Sequence, residues 1–373
     1  MLRKQFHVSC WIDCSNGEKM KIIQIMPEFG LGGAEIMCEN LVYGLKKLGH
    51  SVIVVSLFRY HSPITDRMEK AGIDIRYLDK KPGLDLAMIP KLARLFRKER
   101  PDAVHTHRHV LQYAMPAAVL ARVKRRVHTL HSIATKENGR LGRKFSHICF
   151  HFAGVIPVAL SQMVRETVVE EYYLPENRIP VIFNGIDLSR CRKKEDWKTG
   201  DVFRILHIGR FAEAKNHECL VEAFCRFHRK YPDSELLLIG DGDLRPRIEN
   251  LIKEKNLQDA VVLLGLQSDV YGYLHDADLF ALPSRYEGIP MTLIEAMGTG
   301  LPIVASAVGG IPDMLGPDSA ILTAPEADAV CEAFARYYLD ASLRRNHGRN
   351  ALRDSARFSV ENMAEKYIAQ YKL

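Results

Sequence analysis

Short apolar runs alternate with longer stretches of helical periodicity along nearly the whole chain, and the runs fall into two sets. The first set covers 21–26, Ser51–Leu57, Asp74–Tyr77, Ala103–Thr106, Val127–Leu130, Ile156–Leu160 and Pro180–Phe183. The second covers Phe203–Ile208, Glu235–Ile239, Val261–Leu264, Asp278–Leu282, Pro302–Ala307 and Ala320–Leu322. Buried strands of this length, separated by helices, predict βαβ units and mostly parallel sheets. A helix is predicted over Ala34–Leu48, stopped by Gly49. The alternation lapses over 186–202, where Arg190, Arg192, Lys193, Lys194, Glu195, Asp196 and Lys198 crowd together. That stretch reads as a linker between a doubly wound unit at 20–185 and another at 203–357. The tail, 358–373, reads as a helix with apolar Met363, Ala364, Tyr367, Ile368 and Tyr371, suited to packing back across the cleft. Paired doubly wound domains bind ligands at the carboxyl ends of their strands, so the site belongs in that cleft.

Composition narrows the class. For 373 residues two domains are expected, and 47% hydrophobic with 26% charged residues excludes a disordered chain. No apolar run reaches the roughly 18 residues of a membrane span. Residues 1–19 lack the apolar core and cleavage pattern of a secretory signal, and read as a disordered leader. Eight cysteines without a C-x-x-C pair read as reduced thiols of a cytoplasmic protein.

Charge is split: residues 1–190 hold 29 Lys+Arg against 18 Asp+Glu, while 191–373 hold 23 against 27. The basic half calls for an anionic partner. Arg122, Lys124, Arg125 and Arg126 precede one strand, and Arg140, Arg143 and Lys144 run into Ile148, Cys149, Phe150 and Phe152. Cations mixed with large apolar groups suit an anionic membrane surface or a lipid-diphosphate acceptor. No nucleic-acid motif is present. The plainer alternative is a solvated cationic face over core aromatics.

Several loops carry candidate chemistry. Gly30-Leu31-Gly32-Gly33-Ala34-Glu35 follows the first strand and opens a helix, but Glu35 stands where a dinucleotide fingerprint needs glycine and Ser56 where it needs an acid. NAD binding is therefore not expected. After Phe203–Ile208 come Gly209-Arg210-Phe211 and Lys215-Asn216, a guanidinium fork and a point charge suited to a diphosphate. After Asp278–Leu282 comes Glu287-Gly288-Ile289-Pro290-Met291-Thr292-Leu293, with Glu295 one turn further on. Gly288 permits an unusual backbone, and Pro290 fits the first turn of a helix. The Met291, Thr292 and Leu293 amides then offer an anion site. Glu295, among apolar neighbours, needs a partner; a ribose diol serves, as would a structural arginine.

Together, Gly32-Gly33, Gly209-Arg210 with Lys215-Asn216, Asn184-Gly185-Ile186-Asp187, Gly240-Asp241-Gly242 and the two glutamates of Glu287-Gly288-Ile289-Pro290…Glu295 resemble the retaining glycosyltransferases of family 4. The resemblance runs from Met20 to Leu373. It implies a GT-B fold, in which two Rossmann-like domains face each other across a cleft. Arg210 and Lys215 would neutralise the donor diphosphate, with the Gly32 and Gly33 amides opposite. Glu295 would hold the ribose and Glu287 the donor-sugar hydroxyls. His131 occupies the place of the family's sugar-contacting histidine, whereas His105, His107 and His128 are read as structural. The implied activity is metal-free, cofactor-free transfer from a nucleotide sugar, UDP-linked in kind, to a glycan or lipid-linked glycan in bacterial surface polysaccharide assembly. A UDP-sugar epimerase of the same fold and a non-catalytic nucleotide-sugar sensor are the alternatives.

Overall fold

The computed structural model describes residues 19–30 and 32–372, so the expected leader lies, up to residue 18, outside the described residues. Six strands form the first sheet: β1 (Lys21–Met26), β2 (Ser51–Ser56), β3 (Asp74–Tyr77), β4 (Ala103–His107), β5 (Arg125–Leu130) and β6 (Val155–Ala159). Their order is β3-β2-β1-β4-β5-β6, and every pair is parallel. The second sheet repeats that winding with β7 (Phe203–Ile208), β8 (Ser234–Ile239), β9 (Val261–Gly265), β10 (Leu279–Leu282), β11 (Ile303–Ser306) and β12 (Ile321–Thr323). Its order is β12-β11-β10-β7-β8-β9, again all parallel. Helices cover both faces of each sheet, which is why the strands read as continuous apolar runs.

One expected strand fails. Around Pro180–Phe183 only a single bridge forms, between Val181 and Ala159. Pro180 lacks the N–H a ladder needs, so pairing beside edge strand β6 does not propagate. The structure also draws Arg125 and Arg126 into β5 rather than leaving them ahead of it.

The chain passes between the domains twice, and the two passages pair. Ile186 donates its N–H to Phe358 and accepts one from Val360, while a side chain at Gly185 would stand 2.7 Å from the Ser359 carbonyl oxygen. Only glycine allows that approach. Beyond it, 186–202 is a packed strap rather than a loose linker: Cys191 and Trp197 are buried, and the Trp197 indole donates to the Gly300 carbonyl at 2.8 Å. Helix Val360–Lys372 returns to the first domain and buries all five expected apolar positions against helix Gly33–Lys47 and β5. The carboxyl-end rims of the two sheets meet directly. The Gln162 N–H, just after β6, donates to the Asp313 carboxylate, just after β11, at 3.1 Å.

Candidate active site

In each sheet the strand order reverses beside the first strand of its domain, and the loops leaving the two strands at that reversal form a crevice. In the second domain those strands are β7 and β10. Asn216, in the left-handed conformation at φ +54°, binds their loops together by donating to the carbonyls of Pro283 and, further on, Pro325. From the adjoining β8 loop, Gly240 presses so close that a side chain there would meet the Gly209 oxygen at 2.0 Å, and its φ of +138° suits glycine alone.

Two expected groups, Lys215 and Glu287, converge here, joined by Ser284. Lys215 Nζ donates to Glu287 Oε1 at 2.6 Å, and Ser284 Oγ donates to the same oxygen at 2.6 Å. The cation expected to clamp a diphosphate and the acid expected to bind sugar hydroxyls are thus one ion pair rather than two separate charges. Glu287 is mostly shielded, and its second oxygen has no hydrogen-bond partner among the described residues. Arg210 stands apart at the rim, 71% exposed and 3.3 Å from the exposed Asp243.

Helix Met291–Thr299 begins after Gly288 with Pro290 as its cap rather than its first helical residue. The Leu293 N–H turns back to the Pro290 carbonyl at 3.1 Å, so the expected three free amides reduce to Met291 and Thr292. Beside them the buried Thr292 hydroxyl lacks a partner among the described residues. One turn on, burial pushes the Glu295 carboxyl up to about 7, against the pull of Arg190 and a 3.4 Å hydrogen bond from the Tyr271 hydroxyl. Arg190 lies over the Tyr271 ring at 4.7 Å and forms no ion pair with Glu295, so the structural-arginine alternative is not realised.

The first domain's rim is built differently. Gly32 caps helix Gly33–Lys47, and the space beside Gly32 is filled by Glu35, whose carboxylate would lie 2.5 Å from any side chain there. Glu35 is buried and pairs at 2.6 Å with Arg108, at the end of β4 with φ +54°. Gly33 has open space beside it. His131 follows β5, and its Nε2 lies 3.0 Å from His107 Nδ1. Burial, then the neighbouring His128 and Arg108, hold His131 down to about 3. Sequence reading missed Glu137. It accepts from the His131 and Ser132 amides and the Ser132 hydroxyl, and burial raises its carboxyl above the usual range. Its other oxygen is buried without a partner among the described residues. Nothing in its spacing, in a polar loop, marks it out.

A cavity of about 1170 Å³ follows the strap past Arg192, Lys194 and His275 and is lined by none of these groups. Among the described residues, one trio could share a metal ion, exposed His61, Asp66 and Glu69, and it belongs to the first domain.

Two opposed, doubly wound sheets with a paired cation and acid at one reversal and a histidine at the other define a GT-B glycosyltransferase. The chain belongs to glycosyltransferase family 4: the model described as Glycosyltransferase Family 4 matches residues 31–190, and that described as Glycosyl transferases group 1 matches 190–354. It is 27% identical over 372 residues to N-acetyl-alpha-D-glucosaminyl L-malate synthase of Bacillus anthracis, spanning 92% of this chain and 93% of that one. It is 31% identical over 243 residues to a UDP-Gal:alpha-D-GlcNAc-diphosphoundecaprenol alpha-1,3-galactosyltransferase of Escherichia coli, spanning 61% and 63%. Among solved structures, Anabaena HepE in complex with UDP and glucose superposes with a TM-score of 0.80 at 20% identity, over 95% of this chain and 99% of that one. The chain is a glycosyltransferase.

Proposed function

We propose that the chain transfers a sugar, with retention of configuration, from a UDP-linked donor to a glycan or lipid-linked glycan of a bacterial surface polysaccharide. The observation that carries this reading is the Lys215–Glu287 pair, set beside the open amides of Met291 and Thr292. A leaving diphosphate develops negative charge as the sugar C1–O bond breaks. Lys215 and the helix amides offset that charge from within the site, with Arg210 reaching in from the rim, and no divalent ion is called for. The Gly32 and Gly33 amides complete the clamp from the first domain. Glu287 holds donor-sugar hydroxyls and Glu295 the ribose diol, while His131 meets the sugar from the opposite rim. The acceptor oxygen forms the new bond to C1, and its proton passes to the departing phosphate. UDP in the Anabaena structure and the diphosphoundecaprenol acceptor named for the Escherichia coli relative support the substrate classes.

The test is a panel of UDP- and GDP-sugars incubated with the enzyme and a membrane extract. Products are identified by mass spectrometry and their anomeric configuration by proton coupling. A new α-linked glycan, formed at an unchanged initial rate in saturating EDTA, supports the reading. Release of free UDP with an epimerised sugar, or a requirement for Mn²⁺ or Mg²⁺, overturns it.

The acceptor's setting is proposed to be an anionic membrane face on the cytoplasmic side. No helix among the described residues is long and apolar enough to cross a membrane. Helix Arg140–Phe152 instead exposes Leu141, Ile148 and Phe152, at 83%, 54% and 81%, along one stripe. Arg140 and Lys144 flank that stripe, exposed and without hydrogen-bond partners among the described residues. Of the seven cations read from sequence, three are occupied. Arg126 is half-buried and donates to the Ala153 carbonyl at the end of that helix, Arg125 donates to Lys372, and Arg143 pairs with Glu171. Four of the seven therefore face outward, Arg122 and Lys124 ahead of β5 and Arg140 and Lys144 beside the apolar stripe.

A further inference from the structure

A row of polar side chains crosses the otherwise apolar face between the first sheet and helix Val360–Lys372. His131 Nε2 meets His107 Nδ1 at 3.0 Å, and His107 Nε2 meets Gln24 Oε1 at 2.9 Å. Gln24 Nε2 donates to the Tyr371 hydroxyl at 3.2 Å, which lies 2.7 Å from His105 Nδ1. His105 Nε2 then meets the Thr129 hydroxyl at 2.8 Å, and Thr129 meets the Tyr367 hydroxyl at 2.8 Å. Every member beyond His131 is buried. Sequence reading set His105 and His107 aside as structural, yet their polar partners come from β1, from β5 and the residue after it, and from the last helix.

The polarity of this row follows from elementary chemistry. With the Gln24 amide oriented as in the structure, its oxygen faces His107 and only accepts, so His107 carries its proton on Nε2. A neutral His107 then presents a bare Nδ1, which must accept from His131 Nε2–H. That leaves His131 with its lone pair on Nδ1. In the other direction, Tyr371 accepts from Gln24 and therefore donates to His105, whose Nε2–H goes to Thr129. In that amide orientation each hydrogen has one place, and an additional proton on His107 would set two N–H groups against each other; turning the amide over reverses the whole row, which is the alternative the tautomer of His131 reports.

We infer that Tyr371 is a positioning residue: through Gln24 and His107 it fixes His131 as the Nε2–H tautomer, so that His131 takes a hydroxyl donor at Nδ1. The inference rests on the reading of His131 as a group that meets the donor sugar. Facing His131 are His107 and Arg108 from β4 and its turn, His128 from β5, and Glu137, which accepts its backbone N–H. Burial also keeps His105 and His107 well below their ordinary range, so all three imidazoles of the row stay neutral through physiological pH.

The experiment is nitrogen-detected NMR of the full chain labelled in histidine, assigned with His131→Gln, alongside steady-state transfer across pH. Wild-type His131 is expected as the Nε2–H tautomer with no titration between pH 5 and 8; an Nδ1–H tautomer overturns the inference without need of a further variant. Tyr371→Phe keeps the ring's packing and is expected to mix the two tautomers, lower kcat roughly tenfold with donor KM within about twofold, and introduce an acid limb in kcat. Gln24→Glu, which favours a doubly protonated His107, is expected to reverse the His131 tautomer outright. Unchanged tautomers in both folded variants overturn the relay. A changed tautomer with unchanged transfer upholds the relay and overturns instead the role of His131 in catalysis.

Discussion

The two rims have the same topology and opposite electrostatics. At the second, Lys215 and Glu287 stand charged and paired, Arg210 reaches into solvent, and Glu295 is poised near neutrality. At the first, the histidines are neutral and linked to one another through buried groups, and Arg108 is tied to Glu35. A site that must receive a diphosphate needs fixed charge close to where more charge develops. A site that meets sugar hydroxyls needs oriented neutral acceptors and donors. The same strand order supports both, because the loops and not the sheet decide the chemistry.

The largest effect expected separates these rims at the diphosphate clamp. Lys215→Ala removes the contact proposed to the leaving group and also strands the mostly shielded Glu287 carboxylate without its cation. Loss of such a charge-assisted contact costs on the order of 2–5 kcal/mol, or about thirty- to several-thousand-fold in kcat/KM. Glu287→Gln should lose comparably, and the double variant should lose much less than the product of the two, because each single change strands a partner. Kinetics of all three, with folding checked by circular dichroism, decide the matter. Additive losses would mean the two side chains act separately, and near-wild-type turnover in Lys215→Ala would remove the clamp altogether.

The same contrast explains what the sequence disclosed. Twelve of thirteen expected strands form, because buried parallel strands write themselves as apolar runs. The second rim was legible because its groups lie in two short loops: Arg210 and Lys215 follow one strand, and Glu287 and Glu295 flank one helix start. Even there, the ion pair between Lys215 and Glu287 was invisible, since 72 residues separate them and only the β7–β10 pairing brings their loops together. The first rim was mostly illegible. Gln24, His105, Thr129 and Tyr371 each look like isolated polar residues in apolar surroundings, and only the packing of the last helix on the sheet joins them. Glu137 and Arg108 owe their surroundings to backbone amides and to a left-handed turn, neither of which residue spacing records.

A second, smaller effect tests whether the first domain's outer face has a task of its own. Each Lys or Arg near an anionic lipid surface contributes about 1 kcal/mol, screened within roughly 8–10 Å. Arg140→Gln with Lys144→Gln should therefore weaken binding to phosphatidylserine-containing vesicles by about 2 kcal/mol, close to thirtyfold, and added salt should weaken the parent chain similarly. Leu141→Ser with Phe152→Ser should weaken it further without restoring salt sensitivity. Neither pair touches the second rim, so hydrolysis of the donor in solution should be unaffected. Flotation of the parent chain with neutral vesicles as readily as with anionic ones would rule out the electrostatic contribution, and no flotation at low salt would assign the cationic face to solvent.

The smallest expected effect is a pH response confined to one rim. Burial raises Glu295 to about 7, so between pH 6 and 8 its ionised fraction climbs from roughly a tenth to nine tenths. A ribose diol donates hydrogen bonds, and an ionised carboxylate accepts two where the protonated acid offers less; binding of the diol therefore favours the ionised form. UDP affinity should then rise with pH over this window, by up to about tenfold, and level off above pH 8. The nucleotide's own phosphate ionises in a nearby range, which would also tighten binding as pH rises. Titration calorimetry of the parent chain against Glu295→Gln cancels that contribution, because both proteins see the same phosphate while only one has the titrating acid. The affinity ratio of parent to variant should grow with pH, and with 2′,3′-dideoxy-UDP it should stay flat. His131, held near 3 at the opposite rim, contributes nothing to the ratio at any of these pH values. A ratio that stays flat with UDP itself would detach Glu295 from the ribose, leaving it a buried acid hydrogen-bonded only to Tyr271.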